Sequence, residues 1–308
     1  MTPAGAWLAA ALAVTCGCRD RDSDATPPAA PRDDSPAVAP EPGAATAVWQ
    51  TRVPDTPGTA VLTWTRGPAM TDRGVRVGSS AVGVATLDAN TGAVVAHDPT
   101  AGDPAPRPGD DEPIATMDID GDAVALARTH IARGDRWSYR FPDRADLGVA
   151  GPVRAGAVVA FARDDTLAAV RVDTGALGWE AAGRYAYATG AVAAGPDGTL
   201  RAVALDGGVG PALVSAETGE RISRGAAVDA PQVVAAAWSA TGALAVAIRR
   251  DTTMYDDAVV AFAPDGTLAW QWSLPRPDEP RADPIGVAID GGAVFVFYDG
   301  RFAARFDL

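Results

Sequence analysis

The sequence predicts an all-β chain: a single β-propeller of about six four-stranded blades, with five to seven as the range, its ring closed by pairing the strand around residue 49 with the C-terminal blade. Three observations predict it. Short runs of Val, Ala, Leu, Ile and Phe are broken by Gly, Asp and Pro every 8 to 12 residues, and no stretch keeps a 3.6-residue period. A Thr-Gly turn motif recurs along the chain. Two further markers, a strand-opening proline and a strand–turn–strand segment, keep roughly the same beat, which is the signature of a repeat architecture.

The first eighteen residues stand apart. Ala6-Trp7-Leu8-Ala9-Ala10-Ala11-Leu12-Ala13-Val14 runs into Thr15-Cys16-Gly17-Cys18. That run is too short to cross a bilayer core of about 30 Å as a helix, but it suits the apolar region of a signal peptide. No Lys or Arg precedes it, a departure from the usual pattern. Its end resembles a bacterial lipobox, in which a small residue precedes a cysteine that is acylated and becomes residue one. Cys18 after Gly17 is the expected lipidation site, and Cys16 after Thr15 the alternative. These are the two cysteines of the chain, so the folded part is expected to carry no disulfide and no thiolate metal site. Residues 19–46 are then rich in Pro, Ala and Asp and lack the apolar surface to offset ordering entropy. They are expected to form a disordered tether that holds a folded domain, residues 47–308, away from a membrane.

The turn motif is clearest in Leu87-Asp88-Ala89-Asn90-Thr91-Gly92, Val172-Asp173-Thr174-Gly175 and Ser215-Ala216-Glu217-Thr218-Gly219. Fainter copies end at Gly134 and Gly266. These glycines step by 42, 41, 44 and 47 residues. Pro68, Pro113, Pro152, Pro231 and Pro284 open apolar strands on a similar beat, with Ala191 standing in once. Ile119-Asp120-Gly121-Asp122 returns as Ile289-Asp290-Gly291-Gly292.

In each unit an acidic residue bonds nearby N–H groups, and Gly accepts a positive φ. Asp88 and Asp173, with Gly92, Gly134, Gly175, Gly219 and Gly266, are therefore the expected structural turn residues. A large residue follows three or four positions later: Val95, Trp137, Trp179, Ile222 and Trp270. Trp137, Trp179 and Trp270 are expected to pack between blades. The strand around Trp49 supplies the Trp that the last unit lacks. The central strands of a blade are buried on both faces and read as continuous apolar runs. Ala157-Val158-Val159-Ala160-Phe161 is one, and Ala258-Val259-Val260-Ala261-Phe262 matches it residue for residue, which suggests equivalent strands.

The units resemble the PQQ-like, or quinoprotein-type, propeller repeat, in which a strand ending in Leu-Asp is followed by a Thr-Gly turn and a strand carrying Trp. Thr86-Leu87-Asp88-Ala89-Asn90-Thr91-Gly92 and Arg171-Val172-Asp173-Thr174-Gly175 with Trp179 are the best copies, and the likeness spans residues 47–308. The Gly-His and Trp-Asp dipeptides of WD40 units do not mark these repeats. The resemblance implies the fold. The quinone-dependent dehydrogenases of that family are about twice this length, with a vicinal disulfide against the cofactor and a calcium site, none of which the sequence matches. No cofactor is expected.

Composition narrows the function classes. The net charge is −13 and lysine is absent, so no concentrated basic run is available for nucleic acid. His97 and His130 are the two histidines, too isolated to build a zinc site or a catalytic triad. Asp118-Ile119-Asp120-Gly121-Asp122 lacks the distal Glu of a calcium loop and reads as a hairpin turn. Asp256-Asp257 and Arg249-Arg250-Asp251 read as solvated surface charge, and Phe295, Phe297, Tyr298, Phe302 and Phe306 as packing of the last blade. The expectation is a non-catalytic propeller, lipid-anchored to the bacterial envelope through an N-terminal acyl group, with another envelope protein as partner. The alternative is a propeller that binds a small molecule or catalyses a reaction in its central channel. Converging charged groups there would favour the alternative, and small apolar residues the scaffold.

Overall fold

A computed structural model describes residues 44–56, 65–101, 113–119, 122–127, 130–133, 137–140, 149–251, 256–275 and 285–308. All of them fall in one compact unit. They contain strands and turns and no helix, because the apolar runs are short, β-branched or alanine-rich, and cut by turn residues.

The strands form six four-stranded sheets, each an antiparallel meander in sequence order except the last. Blade 1 is β2 (Thr65–Thr71), β3 (Gly74–Ser79), β4 (Gly83–Leu87) and β5 (Val94–Asp98). Blade 2 is β6 (Pro113–Ile119), β7 (Asp122–Ala127), β8 (His130–Arg133) and β9 (Trp137–Arg140). Blade 3 is β10 (Val149–Ala155), β11 (Val158–Arg163), β12 (Thr166–Arg171) and β13 (Leu177–Glu180). Blade 4 is β14 (Val192–Ala194), β15 (Thr199–Ala204), β16 (Gly210–Ser215) and β17 (Arg221–Arg224). Blade 5 is β18 (Gln232–Trp238), β19 (Leu244–Asp251), β20 (Asp256–Phe262) and β21 (Leu268–Ser273). Blade 6 is β22 (Gly286–Asp290), β23 (Ala293–Tyr298) and β24 (Phe302–Asp307), and its outer strand is β1 (Trp49–Arg52). The first strands neighbour one another from sheet to sheet: β2 with β22, β22 with β18, β14 with β10 and β10 with β6. This is a β-propeller, with the first strand of each blade innermost.

β1 pairs with β24 in the register Trp49↔Arg305 to Arg52↔Phe302. Strands from both ends of the domain therefore share one sheet, and β24 is not left as an open edge. The chain engages the fold slightly before residue 47, since Ala45 N–H donates to the Gln271 carbonyl of β21 at 3.2 Å.

Central strands are buried on both faces, as in β11 and β23, where every residue is buried. One apparent repeat dissolves here. Ala157–Phe161 falls in the second strand of blade 3 and Ala258–Phe262 in the third strand of blade 5. Their identical residues reflect the same demand for burial on both faces, not equivalent positions. The prolines also take a more specific place. Pro68 and Pro152 sit within inner strands at bulges, between the paired residues Arg66/Ala69 and Ala150/Val153, while Pro113 begins β6 and Pro231 directly precedes β18. An inner strand has one edge free of ladder partners, so a missing N–H is tolerated there. Pro284 lies outside the described residues.

Candidate functional site

The seams between blades are built from the turn motif. In blades 1, 3 and 4 the turn glycine donates its N–H to the carbonyl four residues back: Gly92 to Asp88, Gly175 to Arg171 and Gly219 to Ser215. Gly92 has φ +72°, Gly175 +69° and Gly219 +75°. Asp88 caps its turn from within, its Oδ1 accepting from the N–H groups of Asn90 and Thr91 and from the Thr91 hydroxyl. Those bonds, the Thr91 N–H first, hold its carboxyl below the usual range. Asp173 is not its counterpart. Counting back from each glycine aligns Asp88 with Arg171, and Asp173 instead forms an exposed pair with Arg171, Oδ2 to Nη2 at 3.1 Å. Gly266, φ +82°, closes a shorter turn in blade 5, donating to Ala263. Gly134 and the Trp137 side chain lie outside the description.

Each described seam tryptophan of an outer strand reaches the backbone of the next blade, Trp49 and Trp179 at its turn and Trp270 at the end of β24. Trp49 Nε1–H donates to the Ala89 carbonyl at 3.1 Å, Trp179 to Ala216 at 2.9 Å and Trp270 to Asp307 at 2.8 Å. The Trp49 ring lies so close over Gly92, and the Trp179 ring over Gly219, that a Cβ on either glycine would stand 2.6 Å from a ring carbon. These glycines are thus required twice, for their φ and for the ring above them. Trp270 continues into an aromatic cluster with Phe306, Trp272 and Tyr298, and Phe295, Phe297 and Phe306 are buried.

Val95 and Ile222 are not seam residues. Both are 56% exposed. The outer strands of blades 1, 3, 4 and 5 each carry a bulge just after the turn, where the ladder skips one residue: Val95, Gly178, Ile222 and Ala269. The position equivalent in register therefore falls four residues after the glycine, at Ala96, Trp179, Ser223 and Trp270; the two tryptophans are buried there, while Ala96 and Ser223 are exposed. Ser223 cannot bridge to blade 5 as a tryptophan would. There the backbone does it: Ala226 N–H donates to the Gly266 carbonyl at 2.8 Å, and Gly225 packs directly on Gly266.

The bulge at Ile222 lies beside a groove between two blades. This groove, of about 780 Å³, runs along the seam of blades 3 and 4. Trp179, 9% exposed, forms its floor, and Leu177 (45% exposed) and Ile222 stand at its sides. The β10–β11, β14–β15 and β16–β17 turns contribute Gly156, Asp197, Gly198, Ser215 and Glu217. Arg171 lies in the lining with its charge met by Asp173. Asp197 and Glu217 have no ion-pair partner among the described residues.

The opposite end of the same seam is cross-linked by charge. Arg221 grips Asp206 with two nitrogens, at 2.6 and 3.0 Å, and its guanidinium lies over the Tyr185 ring. Arg184 donates its N–H to Asp206 and pairs with Asp165 at 2.6 Å. Burial pushes the Asp206 carboxyl up, but the Arg221 and Arg184 bonds outweigh it and hold the group at about 2. In blade 5, Arg249 and Asp257 lie opposite each other on β19 and β20, with Nε to Oδ1 at 2.9 Å and Asp257 fully buried. The expectation of solvated charge at Asp257 is corrected: cross-strand placement inside the sheet supplies the partner that burial demands.

The inner strands carry mostly Gly, Ala, Val and Pro. Their charged side chains with a described placement are Arg154 and Asp290. Among the described residues, no group of three His, Cys, Asp or Glu is gathered to hold a metal. His97 is tied to the Val82 carbonyl at 2.6 Å. The side chains of His130 and of Asp118–Asp122 lie outside the description.

No protein-family model matches the chain, and no curated protein matches it. Solved structures do. The chain is similar to BamB from Moraxella catarrhalis at 12% identity, covering 78% of this chain and 71% of that one with a TM-score of 0.42. It is similar to the Pan2 WD40 domain of Neurospora crassa at 10% identity, covering 87% and 98% with a TM-score of 0.42. A complex of KlAtg21 with the coiled coil of AgAtg16 is similar at 12% identity, covering 79% and 81% with a TM-score of 0.44.

Proposed function

We propose that this chain is a non-catalytic, membrane-tethered PQQ-like propeller that serves as a protein-interaction or scaffold module of the bacterial envelope. The observation that carries the reading is the pair Leu177 and Ile222. Two large apolar side chains stand exposed beside one groove, on a seam made rigid by Trp179 at one end and the Arg221–Asp206 pair at the other. Exposed apolar groups on a rigid frame are what protein partners bury.

The tethering half of the proposal rests on the apolar leader, on Gly17-Cys18 and on the composition of residues 19–46. It is tested by growing cells with labelled palmitate. The membrane-bound chain is expected to take up label, and Cys18→Ser to lose both label and membrane retention. Label retained by Cys18→Ser but lost by Cys16→Ser moves the anchor to Cys16, and label in neither refutes it. The interaction half is tested by placing a photo-crosslinking residue at Ile222, on the groove, and at Tyr187, between β13 and β14 toward the opposite end of the blades. Capture of a protein at either position is expected. Capture at neither refutes the module.

A further inference from the structure

The groove of blades 3 and 4 has a chemistry of its own, and it selects among partners. Its lining combines exposed apolar residues with two carboxylates, Asp197 and Glu217, that have no ion-pair partner among the described residues. Arg171, the cation in the lining, is bound by Asp173, so the charge left uncompensated is negative. Its volume matches that of small-molecule sites, but such sites bury most of their ligand. Here Leu177, Gly178, Asp197, Gly198, Glu217 and Ile222 are all exposed, which describes an open groove along a seam. The free edges of the outer strands offer little to an added strand. The bulges at Gly178 and Ile222 break the ladder pattern, as edge-protecting bulges do. Recognition here falls to side chains.

We propose that the groove binds an extended segment of a partner protein that sets an apolar side chain between Leu177 and Ile222 and a Lys or Arg against Asp197 and Glu217. This rests on the interaction-module reading and deepens it. Charge complementarity carries the choice of partner: the site is acidic, and so is the whole chain, at −13, which speeds the approach of a cationic segment and repels an acidic one. The apolar pair then supplies the part of the affinity that salt does not screen.

The test uses the purified full-length chain and two labelled synthetic peptides, one with lysines and leucines among serines, the other with glutamates replacing the lysines. Binding is read by fluorescence anisotropy at low and moderate salt. The lysine peptide is expected to bind, and the glutamate peptide to bind at least about tenfold more weakly. Leu177→Ser with Ile222→Ser leaves the net charge untouched and is expected to weaken the lysine peptide by about tenfold or more. Asp197→Asn with Glu217→Gln is expected to weaken it and flatten its salt dependence. All four side chains are exposed, so native melting is expected; where the serine pair melts early, Leu177→Ala with Ile222→Ala replaces it.

Equal binding by the parent and the Leu177/Ile222 variants would mean diffuse attraction to an acidic protein and overturn the proposal. So would equal binding of the two peptides, or no binding of the lysine peptide. A crosslinker at Ile222 that captures only residues of the chain itself, or only a second copy, likewise overturns it in favour of that occupant. Capture of a different protein at Tyr187 with no effect of the groove variants would sink the groove while leaving the interaction module standing.

Discussion

Replacing Gly219 by Ala tests the seam architecture with one methyl group. The new Cβ would stand 2.6 Å from Trp179 Cε3 and 2.8 Å from Cδ2, closer than real side chains approach. Two costs add. An alanine at φ +75° loses about 1 kcal/mol relative to glycine. Displacing the Trp179 ring from its packed position costs a further 1–3 kcal/mol or so of overpacking strain. It also weakens the indole bond to the Ala216 carbonyl, worth about 1 kcal/mol. The expected total is about 3–5 kcal/mol. Gly198 is the internal control: its φ is +74° with nothing within 4 Å of the added methyl, so Gly198→Ala should lose only the first term, about 1 kcal/mol. Urea unfolding with matched m-values reads both. A double-mutant cycle sharpens the test. Once Trp179→Ala has removed the ring, adding Gly219→Ala should cost no more than Gly198→Ala, giving a coupling of about 2–4 kcal/mol. If Gly219→Ala alone costs the same as Gly198→Ala, or if the two changes at the seam simply add, the ring-over-glycine account is wrong.

The remaining predictions concern the opposite end of this seam and two other seams. Asp206 has its carboxyl pKa held at about 2 against an ordinary 3.8. Its stabilisation is therefore complete above pH 4 or so and lost as pH falls through about 2. With the side chain 38% exposed, screening limits this to about 1 kcal/mol, so Asp206→Asn should reduce the neutral-pH stability by about that amount and flatten the acid limb of a pH–stability curve. Trp49→Ala should lose about 3 kcal/mol or more and loosen β1 from β24. The freed edge should then drive self-association, seen as a rise in mass by light scattering. Gly225→Ala places a Cβ 2.4 Å from the Gly266 carbonyl oxygen and should destabilise by about 2 kcal/mol; a neutral result in a thermal melt would show that the backbone contact does not join blades 4 and 5.

Much of this fold was legible in the chain. Gly92 and Gly219 hold their places in the turn because each must present a bare face to the tryptophan ring of the preceding blade. β1 was legible because Trp49 stands where the last unit has none. The bulge was not, since a skipped residue leaves no mark in a one-dimensional pattern. It moved the position equivalent to Trp179 from Val95 and Ile222 to Ala96 and Ser223, and left Val95 and Ile222 exposed. Asp257 was misread because its partner Arg249 lies eight residues away by sequence but directly opposite across the ladder. The groove was hidden for a related reason. Asp197, Glu217, Leu177 and Ile222 come from separate turns and strands of two blades, and only the seam assembles them.

The most direct test of the functional account is crosslinking in living cells from Ile222, compared with the same probe in a chain carrying Asp197→Asn and Glu217→Gln. The account predicts that the groove probe captures a distinct protein through a segment bearing basic and apolar residues, and that the carboxylate changes greatly reduce the yield. Undiminished capture in the altered chain, or a captured segment that is acidic, would contradict it.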